Sequence, residues 1–96
     1  MSSPLLLLRV ATTWPLPGLG LLALPDGLTP RLATYPLHTA LSVVAALPDG
    51  RRRAAIATVE EITRPDTPGL PARGLLLDFE AVITLLPGTE IWLAEV

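Results

Sequence analysis

Eleven prolines and seven glycines are scattered through the apolar segments of this 96-residue chain, and they limit what it can fold into more than any other feature. Proline fixes φ and donates no backbone hydrogen bond, so a long helix cannot absorb it. Half of the residues are apolar and 17% are charged, giving a mean hydropathy of +0.52. An apolar chain broken this often predicts many short strands joined by turns, in a single domain.

Leu5 to Ala11 is an apolar run interrupted only by Arg9 and reads as a strand, with "TTWPLPG" after it as an irregular loop. The pentapeptide "ALPDG" occurs at 23–27 and again at 46–50, each time after an apolar run. Asp-Gly in that setting predicts a tight hairpin turn, with Asp26 and Asp49 explained by their turns. Leu41 to Leu47 predicts a strand buried on both faces. Arg51 to Arg64 fits strand or helix, because Ile56, Val59 and Ile62 also have helical spacing; the turn before it favours strand. "RPDTPGLPARG" predicts a loop, "LLLDFE" a half-buried strand, and "PGTEIWLAEV" a Pro-Gly turn leading into a last strand. About six strands at short spacing predict an all-β barrel or sandwich, and closure suits so apolar a chain because it removes exposed edges.

Gly18, Gly20 and Ala23 match the G-x-G-x-x-A spacing of dinucleotide-binding loops. That chemistry needs a helix opening at the glycines, and Pro25-Asp26-Gly27 arrives before a second helical turn. The glycines are therefore assigned to a turn, and no nucleotide cofactor is expected. No apolar run reaches the roughly 18–20 residues of a membrane span. The start "MSSPLLLLRV" lacks a basic leader and its leucines stop at Arg9, so cytoplasmic residence is the expectation, with no membrane contact. Cysteine is absent, which removes thiolate metal sites and a cysteine nucleophile, and no metal site is expected. A net charge of −2 gives no global attraction to nucleic acid.

The order of an aromatic before "PGLG", an apolar strand to a tight turn, "ATVEEITR", a Pro- and Gly-rich loop, "GLLLDF" and "PGTEIWLAEV" resembles the second domain of elongation factor Tu and related translational GTPases. The resemblance covers residues 5–96, leaving 1–4 as an N-terminal tail, and implies a small six-stranded closed β-barrel. Trp14 falls at the family's aromatic position and Glu60 at its Val-Glu position. Leu19 stands where the family commonly places Arg between the two glycines, and Ala11 and Thr12 stand where it has acidic residues. Those residues help to form the family's pocket for the aminoacyl end of transfer RNA. The GTP-binding domain is not present in this sequence, so the resemblance carries no GTPase activity with it.

These readings predict a non-catalytic binding module whose partner is a protein or RNA. The contact candidates are Trp14, Leu19, Glu60 and the run Arg51, Arg52 and Arg53. Three successive arginines suit phosphates or an acidic protein surface, although a solvated turn that keeps the barrel soluble and discourages edge pairing is the simpler account of them. Trp92 is assigned to barrel-wall packing. Glu60 and Glu61 are adjacent, so on a strand they point to opposite faces and cannot share a proton. The sequence also admits two other classes: a small enzyme centred on His38 and nearby hydroxyls such as Ser42, and a structural homo-oligomer suggested by the apolar composition.

Overall fold

The computed structural model describes residues 5–27, 29–63, 71–79 and 84–94. They form six strands: β1 (Leu5–Leu16), β2 (Gly20–Pro25), β3 (Ala40–Ala46), β4 (Arg52–Thr63), β5 (Pro71–Asp78) and β6 (Glu90–Leu93). A single 3₁₀ turn, Leu32–Thr34, lies between β2 and β3. All neighbouring strands are antiparallel, and they close into a barrel in the order β1-β2-β5-β4-β3-β6. The expected six-stranded all-β barrel is therefore the observed architecture.

Alternation along the strands fills the interior. Val43 and Ala45 on β3, Ala55, Ala57 and Val59 on β4, Leu75 and Leu77 on β5, and Ile91 on β6 are all buried. Alanines opposite leucines let large side chains cross the narrow lumen, and each fully buried leucine is worth about 1.5–3 kcal/mol. On β1, Leu7 and Leu8 are both buried because the register shifts between Leu6 and Leu8. Such a bulge inserts one residue and re-aims the next, which places two consecutive leucines inside.

Three turns use glycine where a left-handed conformation is required. Pro17-Gly18 joins β1 to β2, with Leu19 N–H donating to Leu16 O at 2.9 Å and Gly18 at φ 79°. Pro87-Gly88 repeats this pattern before β6. Pro48-Asp49-Gly50 joins β3 to β4 as the hairpin that the sequence predicts.

Several local expectations are corrected. β1 continues through Trp14 to Leu16, where an irregular loop was expected. β6 pairs only as far along β1 as Arg9, so Pro15 lies on a stretch with β2 alone as partner, where a missing N–H is tolerated. The first "ALPDG" is no hairpin: β2 pairs with β1 and β5, not β3. Asp26 N–H instead donates to Arg9 O at 3.1 Å, which carries the chain onward along β1. β3 is buried on one face only, with Ser42 exposed. Arg51–Arg64 resolves to strand as far as Thr63, since β4 has ladder partners on both sides. β5 begins at Pro71, inside the expected loop, and the rest of that loop, 64–70, lies outside the described residues, as do the tail 1–4, Glu80 and the end of the last strand, 95–96.

Candidate functional site

With the strands alternating in direction, the barrel has two ends. The upper end carries the β1–β2 turn and the β3–β4 hairpin. The lower end carries the connection from β2 to β3. Leu19 stands at the tip of the upper β1–β2 turn and is 65% exposed. Arg51, Arg52 and Arg53 also lie at the upper end, all exposed. Glu60 belongs to the lower half of β4, so it is separated along that strand from Arg52 and Arg53 at its start.

The arginine run does not act as one cationic patch. Arg51 turns back on Asp49, donating from its backbone N–H to Oδ1 at 2.9 Å and from Nε to Oδ2 at 2.7 Å. The Arg51 backbone N–H, helped by its guanidinium, holds the Asp49 carboxyl below its ordinary value. Arg52 and Arg53 start β4, opposite Ala46 and Ala45, and so point to opposite faces of the sheet. Among the described residues neither joins an ion pair.

Trp14 is placed differently from the loop residue expected. It lies on β1, 64% exposed, opposite Leu22 on β2. Leu22 in turn pairs with Leu76 on β5, Leu76 with Thr58 on β4, and Thr58 with Ala40 on β3. Directly paired residues share a face, so the five side chains form one uncharged row across the outside of the barrel. Leu22 and Leu76 are half-buried within it. Local sequence patterns cannot reveal this row, because its members come from five strands.

His38 and Glu60 were singled out separately in the sequence, and the fold brings them together. His38 adopts φ 68°, a left-handed conformation that a residue with a Cβ seldom takes. Its N–H donates to Val59 O at 2.7 Å, and Val59 N–H donates to Thr39 O at 3.1 Å, which holds the turn against β4. The His38 Nδ1 then lies 2.8 and 3.2 Å from the two Glu60 carboxylate oxygens. In the tautomer with a proton on Nδ1, the ring donates this hydrogen bond to the carboxylate. Ser42, one strand turn away on β3, shares no hydrogen bond with His38 among the described residues. Glu61 points to the other face of β4 and pairs in register with Arg73 on β5.

Surface grooves also lie elsewhere among the described residues. One of about 330 Å³ separates Leu6–Arg9 from Asp26 and Thr29–Arg31. Another of about 250 Å³ lies between the β3–β4 hairpin and Thr84 and Leu86, with Arg51 the single predicted residue in its lining. Arg9, beside the first groove, is neutralised by Glu90 at 3.0 Å, and that carboxylate raises the Arg9 pKa. Among the described residues no cluster of three metal-ligating side chains occurs, and no helix is long and apolar enough to cross a membrane. Compared with known protein families, characterised proteins and solved structures, the chain has no match.

Proposed function

We propose that this chain is a non-catalytic binding module, a barrel of the kind found as the second domain of translational GTPases, and that its partner is a protein. The observation that carries this reading is the outer row Trp14–Leu22–Leu76. Trp is the residue most enriched at interface hot spots, and here its indole stands in water beside half-buried leucines instead of packing inside. Leu19, on the turn just beyond Leu16, extends apolar surface toward the upper end. With leucine where the resembling family has arginine, and with Arg51 tied to Asp49, the surface is better suited to a protein than to a phosphate backbone. The Glu60 carboxylate is occupied by His38, which gives that pair a structural role at the lower end. No cofactor enters this reading, and residence in the cytoplasm is part of it.

The test is affinity capture from lysate of the native host, with and without nuclease, using the unmodified chain and Trp14→Ser. A protein retained through nuclease treatment is expected. Its affinity should fall by about 30-fold or more in the variant, the scale of a hot-spot tryptophan. Capture that vanishes with nuclease would assign the surface to RNA, and capture indifferent to Trp14→Ser would remove the row from the interface.

A further inference from the structure

We propose that two copies of this chain pack face to face through the outer surface of β3, β4 and β6. This face is separate from the Trp14 end of the row described above. Its centre is a second register row, Trp92 on β6, Val44 on β3 and Ala54 on β4, none of them charged. Trp92 and Val44 are half-buried and Ala54 is exposed. Two residues further along β4, Ile56 leaves 51% of its surface in water and extends the apolar surface of this row. Its neighbours Ala54 along β4 and Ser42 opposite it on β3 are small, so a second sheet can approach to about 10 Å.

Charge selects the occupant and the register. On this outer face Arg52 lies two residues before Ala54, and Asp78 on β5 pairs in register with Ile56, two residues after it. Both are exposed, and neither has an ion-pair partner among the described residues. A two-fold axis lying along the Trp92–Val44–Ala54 row reverses the direction of β4 while keeping the order of strands. Ala54 then faces its own copy, and Arg52 faces the partner's Ile56 with the partner's Asp78 on the adjoining strand, about 4.8 Å to the side. The arrangement is isologous, so the same pair forms twice.

The competing placements fail on charge. Parallel stacking of β4 sets Arg52 against Arg52, and an axis over Ile56 sets Asp78 against Asp78. Like charges opposed across an interface are strongly disfavoured. An axis along β3 would bring Arg52 to Glu90, which lies in the same register row across Ala46, but that carboxylate already pairs with Arg9 at 3.0 Å, so the axis over Ala54 is the one that joins Arg52 to Asp78. The overlap of the three strands is limited by the four residues of β6, so the patch is only a few hundred Å², below the roughly 800 Å² per partner of a standard interface, and the dimer is a weak one.

Sedimentation equilibrium of the full chain, carried to high protein concentration, tests this. A reversible monomer–dimer equilibrium is expected for the unmodified protein. Arg52→Glu should raise its dissociation constant by about tenfold or more, Asp78→Arg likewise, and the double exchange should recover most of the loss. Trp14→Ser should leave the equilibrium unchanged, which separates this face from the proposed partner surface. Far-UV circular dichroism and urea midpoints confirm that each variant is folded. A monomer mass at every concentration overturns the proposal, and so does a dimer that ignores Arg52→Glu or that the double exchange fails to restore.

Discussion

Gly20 carries more of this fold than its place in a turn suggests. It sits at φ 136°, and a Cβ there would collide with the Leu77 carbonyl oxygen of β5. Gly18, two residues earlier, has φ 79° but open space around it. Gly20→Ala should therefore cost about 2–4 kcal/mol, combining backbone strain with a steric clash against the barrel wall, while Gly18→Ala costs about 1 kcal/mol. Urea denaturation of the two variants separates them. Asp49 yields a prediction about pH. Its folded pKa is lowered from 3.8, so its contribution is present above that value and is lost as pH falls through the folded pKa. Asp49→Asn should lower the urea midpoint slightly at neutral pH, and the difference from the unmodified protein should vanish in acid. The two glycines were legible as a turn because turn geometry is local. The His38–Glu60 pair was not legible, because the left-handed conformation at His38 is held by Val59 and Glu60, more than twenty positions on.

At the scale of the element, β4 shows how period and partner divide the work. Ile56, Val59 and Ile62 fit a helix as well as a strand, and the ambiguity ends only because β3 and β5 supply ladders on both sides. In the strand, Ala55, Ala57 and Val59 enter the lumen while Ile56 and Thr58 face outward. Ala57 is fully enclosed, so Ala57→Leu overpacks the barrel and should destabilise it by about 1–3 kcal/mol. Thr58→Val, one residue on and facing out, should stay within about 0.5 kcal/mol. Thermal unfolding of both reads the alternation directly, and equal losses would mean that the inward assignment of Ala57 is wrong. The runs 5–11 and 41–47 were legible as strands, but not which of their faces is buried. In these apolar runs only Arg9 and Ser42 mark the outward face, and a bulge such as that at Leu7 changes parity without leaving a local signature.

The whole molecule depends on its shortest strand. β6 has four residues, yet it joins β1, through Leu5 opposite Leu93, to β3, through Val43 opposite Leu93. The barrel therefore closes by linking the beginning of the described chain to its end, and every strand is protected only while that link holds. Removing residues 90–96 would leave β1 and β3 as open edges and expose Leu8, Val43 and Ala45, which Ile91 and its neighbours now help to cover. Unpaired apolar edges of this kind template intermolecular pairing. The truncated chain should lose its cooperative unfolding transition by far-UV circular dichroism and scatter light at concentrations where the full chain stays clear. A truncated chain that unfolds cooperatively near the original midpoint would mean instead that five strands suffice, and that closure by β6 adds little to the stability of the remainder.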